Sequence, residues 1–564
     1  MTDVQLTQTP TRRRVAHAGR RAPRLDEPWL TYGLFGLILL TGAYLLLYKL
    51  PEFNLNPDET IYTISGLEYM HGTFTGNLVH PFVAKYVFGL AQLIGGPGIA
   101  TARYAAALAT LAGGVVLFYW LKTIHPAAGL VAAAVWLLVP RALSPDMGPR
   151  IDRFAILEPV LCFFIIATLA LVWFWAQTGR WRWACLAGIV GGLATGAKLS
   201  GAVVVVVGLV FAAVTLGWRA WLQGLVFGAI SVVTFVATFL PADDVLGRVG
   251  LMLSQGSGHA ANGHEVDLAG GVYLHAPWWG ILWQTGAGIG PACTAALVIC
   301  LVLVAALLIA TRRRPSAKAH SPLAHGRRLL RGPGAGEGAQ GGGVPVGEVP
   351  GGEALSGAPQ SAPLRRELAQ LAVLGLVTLV TFWALQTFVV RIALGHYYVI
   401  LLVPLTLLCA AGLTWPWLTA RAGQPGAWTV VGRALAALAA GLFAVGIGQS
   451  AVEVADTRPT GMARVMGELA QRHRPAQSFA ITGATSWEWK SYLPAEPPAN
   501  STDSVDAILV ERHWLRFRPE EGILDFIAKN RACLELVQLD TVEMYIPTTT
   551  PQIPLTTPTW CPTQ

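Results

Sequence analysis

Charged side chains are scarce in this sequence. Only 13% of its 564 residues are Asp, Glu, Lys or Arg, while 53% are hydrophobic and the mean hydropathy is +0.50. A soluble domain carries about 25% charged residues, so the shortage excludes a soluble globular chain and points to a polytopic membrane protein. Cysteine is sparse too: the seven present follow no metal-ligand spacing, which excludes a zinc module and a cysteine-rich secreted scaffold. There is neither a P-loop nor a dinucleotide fingerprint. No internal repeat of the kind that builds transporters stands out. The first apolar run lacks a small-residue cleavage pattern behind it and reads as a retained span rather than a signal peptide. The net charge of +8 is gathered in particular loops, so it bears on orientation and not on nucleic acid.

What is present in abundance is long apolar runs. The first covers about residues 29–48; others follow at 98–121, 127–140, 154–177, 184–197, 201–217, 221–240, 288–310, 368–390, 397–414 and 430–449. Several fall short of the ~20 residues of a perpendicular crossing, which leaves their boundaries soft. Arg12, Arg13, Arg14, Arg20, Arg21 and Arg24 make residues 1–28 a basic, cytoplasmic N-terminus. About eleven crossings then put Lys122, Arg180, Arg182, Arg219, Arg312 to Arg314 and Arg421 on the same side. The expected fold class is therefore an all-α polytopic protein of the cell (plasma or inner) membrane. Its parts are a transmembrane module at 29–310 with outer loops at 50–97 and 241–287, a linker at 311–366, and further spans at 367–450. The linker is rich in Gly and Pro and cannot bury a core, so disorder is expected there.

Residues 451–564 are of different material. SFAITGAT and DAILVER read as strands, GMARVMGELAQRHR and EEGILDFIAKN as amphipathic helices, which together make a small extracytoplasmic α/β domain. A Pro/Thr-rich tail closes the chain, expected to be extended or disordered. Cys533 and Cys561 lie in this polar region and could pair on the extracytoplasmic side. The other five cysteines sit in apolar runs as packing residues.

The candidate chemistry begins just beyond the first span, in NLNPDETIYTISGLEYMHG. Pro57 suits a first helical position, which puts Asp58 and Glu59 in the first turn, where the helix dipole favours negative charge. These acids either cap the helix or belong to a site. The following LVHPFVAKYVFGLAQLIGG holds His80, Pro81 and Lys85 in a helix of ~14 residues, too short to cross and so interfacial or re-entrant. Lys198 lies within an apolar stretch, where a charge is expensive and functional by default.

Taken in order, these segments resemble the polytopic glycosyltransferases of the GT-C class. The closest resemblance is to the protein O-mannosyltransferase family and its bacterial relatives, the aminoarabinose transferases of lipid A. Asp58-Glu59 and HPFVAK are similar to that family's Asp-Glu pair and His-Pro-Pro-x-x-Lys helix, with Phe82 at the second Pro. DRFAILEPVLCFF resembles its Arg-x-x-x-Leu-Asp-Pro segment, with Arg153 kept and Glu158 for Asp. GGLATGAKLSG, GVYLHAPWWGILW and RIALGHYYVILL resemble later segments, with Lys198 and Ser200, His275, Pro277 and Trp278, and Arg391 and His396. The resemblance spans about residues 29–415 and leaves out the linker and the C-terminal region.

It implies an inverting transfer of sugar from a polyprenyl-phosphate donor to an acceptor hydroxyl on a protein, lipid or glycan, outside the cytoplasm. It also implies Asp58 as general base, with Glu59 and Glu158 beside it. Lys85, Arg153, Lys198 and Arg391 then become donor-phosphate contacts, and His80, His275, Trp278 and His396 substrate contacts. Asp58 and Glu158 are the candidate pair for a divalent cation, Mg²⁺ or Mn²⁺, whose use varies across the class; no other cofactor and no nucleic-acid partner is expected. Membrane lipids surround the whole. A transporter with an outer-facing charged site is the rival reading, and a scaffold with decayed site residues a third.

Overall fold

The computed structural model describes residues 27–52, 56–142, 150–263, 266–312, 361–418, 427–459, 461–474, 478–482, 504–511, 515, 520–539 and 542–561. The expectations for the basic N-terminus and nearly all of the linker fall outside these residues.

The chain is helical through the apolar region. Among the described residues eight helices are long and apolar enough to cross a membrane: Pro28–Leu47, Ile99–Lys122, Leu157–Thr178, Leu199–Leu216, Gly280–Arg312, Pro363–Val390, Val399–Leu418 and Ala427–Ala455. The remaining three expected crossings are shorter helices, Pro126–Leu138 of 13 residues and Trp181–Ala197 and Trp221–Ala237 of 17 each. Each of the eleven runs read from the sequence coincides with a helix, but among the described residues eight helices have full crossing length. In chain order the helices that matter below are α1 (Pro28–Leu47), α2 (Pro57–Met70), α3 (Val83–Gly95), α4 (Ile99–Lys122), α5 (Pro126–Leu138), α6 (Leu157–Thr178), α7 (Trp181–Ala197), α8 (Ala202–Leu216), α9 (Trp221–Ala237), α10 (Val245–Asn262), α11 (Gly280–Arg312), α12 (Ser361–Ala384), α13 (Val399–Leu418), α14 (Ala427–Ala455) and α15 (Gly461–Gln471).

Helix α13 is the axis of the bundle, packed by α5, α6, α11, α12 and α14 and buried over nearly its whole length. Helix α11 is not continuous. Gly290 takes φ 78° and ψ 164°, a backbone that favours glycine, and Pro291 follows without an N–H to donate. The Thr294 hydroxyl donates to Gly290 O at 2.8 Å, and Ala142 N donates to Gly288 O at 2.9 Å, so nearby carbonyls at the break are satisfied.

Between α1 and α4 lie two shorter helices, α2 and α3. Helix α3 is 13 residues long and lies against α2, close to the sequence expectation for a helix too short to cross. Gly66 and Gly89 face each other there, and a Cβ on either would run into the backbone of the other helix. The connection from α9 to α11 holds α10 and a hairpin of β1 (Val266–Leu268) and β2 (Gly271–Tyr273), neither read from the sequence.

The C-terminal region forms the expected α/β unit. Strands β3 (Phe479–Thr482), β5 (Ala507–Glu511), β7 (Val542–Pro547) and β6 (Leu534–Gln538) make one sheet in that order; β3 and β5 are parallel and the other pairs antiparallel. Alternation sorts the two faces: Phe479, Leu509, Met544 and Ile546 pack with Val465 and Leu469 of α15, while Ala480, Ile508, Val510 and Tyr545 pack with Phe526 and Ile527 of helix Glu521–Lys529. The end of the chain is pinned. Strand β8 (Ile553–Pro554) pairs with β4 (Ser504–Val505), Asn530 Oδ1 accepts from Trp560 N and Cys561 N at 2.7 and 2.9 Å, and Cys561 is disulfide-bonded to Cys533 with a Cα–Cα distance of 5.7 Å.

Candidate functional site

The two neighbouring acids of α2 have different surroundings. Asn56 caps the helix, its Oδ1 accepting from Asp58 N at 3.0 Å while its own N–H donates to Glu59 Oε2 at 2.9 Å. This reciprocal box, with Pro57 at the first turn, is why the helix begins here. Glu59 is fully buried. The Arg103 guanidinium grips it from α4, Nε to Oε1 at 2.8 Å and Nη2 to Oε2 at 2.7 Å, and Ala155 N donates to Oε1 at 2.7 Å. With that set of donors Glu59 ties α2, α4 and the segment leading into α6 together. Asp58 is only half-buried. It lies within electrostatic reach of Tyr62, Lys198 and Tyr397.

Those groups form the centre of the site. Glu158 stands in the first turn of α6; Lys198 sits between α7 and the short 3-10 turn Leu199–Gly201; His396 and Tyr397 immediately precede α13. Lys198 Nζ bonds Glu158 Oε1, with His396 Nε2 3.7 Å from the same oxygen. Lys198 Nζ also lies 3.8 Å from the centre of the Tyr397 ring. Tyr62, one turn after Asp58, is buried; burial first, then the carboxylates of Asp58 and Glu158, push its hydroxyl well above the usual range. It therefore stays protonated and neutral, within the field of both acids. His80 packs edge-on against it, ring centres 5.8 Å apart.

The four expected phosphate cations do not gather as a ring. Lys198 alone is in this cluster. Lys85 is fully buried and donates to Tyr69 Oη at 3.2 Å, to His80 O at 3.0 Å and to Asn77 O, so it organises the loop between α2 and α3. Arg153 is also fully buried and donates to Tyr48 O and, at 3.4 Å, to Thr457 Oγ1. Burial and the nearby Arg150 guanidinium lower its pKa to about 10, which leaves it charged. Both cations, expected from the sequence at the donor phosphate, thus bond backbone and hydroxyl oxygens in this structure. Arg391 is exposed, in a left-handed conformation (φ 59°) at the end of a π-helical turn, and its carbonyl accepts from Ala276 N at 2.8 Å. That bond joins it to the segment of His275 and Trp278. His275 is half-buried with no hydrogen-bond partner on Nδ1 among the described residues, and Trp278 is exposed, its carbonyl taking the Trp383 indole N–H at 2.9 Å.

Several residues that shape the site were not singled out in the sequence. Arg103 carries the same signal as Lys198, a charge within an apolar run. Tyr62 and Tyr397 carry none. A buried cluster below the start of α6 was also missed: Asp152 accepts from Arg150 Nε and Nη2 at 3.0 and 2.9 Å, and Arg141 Nη1 stands 2.9 Å from it. Burial works to raise the Asp152 carboxyl, but the Arg150 and Arg141 guanidiniums outweigh it and hold it below the usual carboxylate range.

Among the described residues no three His, Cys, Asp or Glu side chains come together as ligands. The Glu158 oxygen that the sequence offers to a cation is faced instead by Lys198 and His396.

A family model described as dolichyl-phosphate-mannose-protein mannosyltransferase matches residues 79–242. That stretch takes in His80, Lys85, Arg153, Glu158 and Lys198, and Asp58 and Glu59 precede it. No curated protein matches the sequence. Among solved structures the chain is similar to ArnT from Cupriavidus metallidurans bound to undecaprenyl phosphate, with a TM-score of 0.49 and 14% identity over 93% of this chain and 99% of that one. An Archaeoglobus fulgidus oligosaccharyltransferase in the apo form gives a TM-score of 0.43 and 12% identity over 83% and 64% of the two chains. The arabinosyltransferase EmbB from Mycobacterium smegmatis gives 0.38 and 13% over 85% and 44%.

Proposed function

We propose that the protein is a membrane glycosyltransferase that moves a sugar from a polyprenyl phosphate to an acceptor hydroxyl. The observation that carries this reading is a half-buried carboxylate, Asp58, within electrostatic reach of a cation, Lys198, that is paired with Glu158, itself faced by His396. The family model matched by residues 79–242 is described by a sugar-phosphate-polyprenol donor of this kind.

In this reading Asp58 takes the proton of the acceptor hydroxyl as its oxygen bonds the anomeric carbon. The bond from that carbon to the phosphate oxygen breaks, and polyprenyl phosphate leaves carrying the electron pair. Lys198 receives the charge that develops on the leaving phosphate, and Arg391 provides a second, exposed cation. A single displacement inverts the anomeric centre. The neutral hydroxyl of Tyr62, with His80 against its ring, orients sugar hydroxyls between the two acids. Glu59 stays outside the chemistry as the anchor of the Asp58 turn. His275, Trp278 and His396 border the acceptor side, the first two tied through Ala276 to Arg391.

The site faces away from the cytoplasm in this proposal. The basic segment before α1 supports a cytoplasmic N-terminus. The Cys533–Cys561 disulfide supports an oxidising compartment for the C-terminal unit.

The test is transfer by the purified full-length protein in lipid nanodiscs, offered a panel of polyprenyl-phosphate sugars with peptide, lipid and glycan acceptors, products read by mass. Asp58→Asn is expected to lower turnover by about 10²–10⁴-fold, the usual contribution of a general base, with insertion intact. Near-normal turnover in that variant would reject Asp58 as base.

A further inference from the structure

Thr457 lies two residues beyond the end of α14 and is the point where the chain leaves the bundle for the C-terminal unit. It is buried, and two cations from distant parts of the chain converge on it. Lys49 Nζ donates to its carbonyl at 3.1 Å, and Arg153 Nη1 to its hydroxyl at 3.4 Å. Arg153 at the same time holds Tyr48 O. Lys49 reaches across from a left-handed backbone (φ 50°), an uncommon setting for a residue with a Cβ.

Arg153 opens the short stretch that supplies both ends of the site. Two residues on, Ala155 N bonds the Glu59 carboxylate, next to Asp58 in the same helical turn. Five residues on is Glu158, which holds Lys198. Thr457 is thus joined through Arg153 to a stretch of six residues that holds the Glu59 carboxylate at Ala155 and ends at Glu158.

We propose that Thr457 is a positioning residue: through Arg153 it makes the seating of the C-terminal unit set the placement of Glu158 and of the Asp58 turn. This rests on reading those carboxylates as the transfer site. Its physical content is a coupling in which the C-terminal unit, by pulling on its own stem, loosens or tightens the segment from Arg153 to Glu158. The hydroxyl carries the coupling, because it is the side-chain group of Thr457 that meets the guanidinium.

The test uses the full-length chain in nanodiscs and two near-isosteric variants. Thr457→Val removes the hydroxyl and keeps the shape; Thr457→Ser keeps the hydroxyl. Amide hydrogen exchange over residues 151–158 is expected to speed up about tenfold in Thr457→Val, the scale of one hydrogen bond to a charged group. The interior of α6 keeps its rate, and Thr457→Ser exchanges as wild type. In transfer assays Thr457→Val loses about tenfold in kcat with donor KM little changed, and Thr457→Ser recovers it. Lys49→Met, which acts on the same residue through its carbonyl, moves both readouts the same way and serves if Thr457→Val does not fold.

Wild-type exchange in Thr457→Val overturns the proposal, and so does faster exchange with unchanged kcat. Should wild-type protein transfer none of the sugars offered, the functional reading fails on its own. The exchange measurement then decides alone whether Thr457 holds the segment, and an unchanged rate still overturns that role.

Discussion

Adjacent carboxylates in one helical turn can do unrelated work, and Asp58 and Glu59 illustrate how. Glu59 is fully buried against Arg103, so replacing it by Gln leaves a guanidinium without its charge partner. That variant is expected to lose about 3–5 kcal/mol of stability, seen as a lower thermal midpoint and poorer yield. Asp58→Asn should leave both unchanged and remove turnover. Asp152 offers a pH test at the same scale. Its folded pKa is depressed by Arg150 and Arg141, so its stabilisation is complete above the unfolded value of about 3.9 and is lost as pH falls through the lower folded value. The thermal-midpoint gap between wild type and Asp152→Asn should therefore be wide near neutral pH and shrink below about pH 4. A gap that stays constant into acid would show that the carboxylate's charge is not what Asp152 contributes.

The packing of α2 on α3 depends on two missing side chains. Gly66 and Gly89 let the backbones meet, and Lys85 then reaches back to bond the loop between the helices. Gly89→Ala should force α3 away from α2, at about 1–3 kcal/mol for overpacking. It should lower turnover because the Asp58 turn rides on α2. Normal stability and turnover in Gly89→Ala would mean the helices slide apart without cost. Much at this scale was legible in the sequence. Length alone marked α3 as too short to cross, and the residue pattern marked α15 and two of the four strands of the C-terminal sheet, β3 and β5, but not β6 and β7. The pairings were not legible. Glu59 with Arg103 and Arg153 with Thr457 join residues far apart in the chain, and a cation in an apolar run announces that it needs a partner without saying which. Lys198, Lys85 and Arg153 looked alike for that reason. Only Lys198 stands in the cluster around Glu158, while Lys85 and Arg153 are taken up by backbone and hydroxyl oxygens. The β1–β2 hairpin escaped notice because three-residue strands are too short to show a period.

At the scale of the molecule, the C-terminal unit is closed by its own last residues. Asn530 caps the tail at Trp560 and Cys561, and the disulfide locks it. A Pro/Thr-rich stretch reads as loose because it has no periodic apolar face, yet Ile553 and Trp560 give it something to bury. Removing the bond by Cys533→Ser with Cys561→Ser is expected to cost about 2–4 kcal/mol, read as earlier melting of the C-terminal unit and faster proteolysis within it. An unchanged melt would mean that the hydrogen bonds of Asn530 suffice. If Thr457 couples this unit to the site, the double variant should also reduce turnover modestly, whereas a freely tethered unit would not.

Helix α11 shows how one interruption suits a chain to its surroundings. An unbroken rod of 33 residues would measure about 50 Å, far more than the ~30 Å of hydrocarbon it crosses. Such an excess is relieved by steep tilting or by stretching the lipids around it, a hydrophobic mismatch. The turn at Gly290 divides the rod, and the part from Pro291 to Arg312 is about 33 Å long. The first ten residues are then released from the demands of the bilayer's thickness.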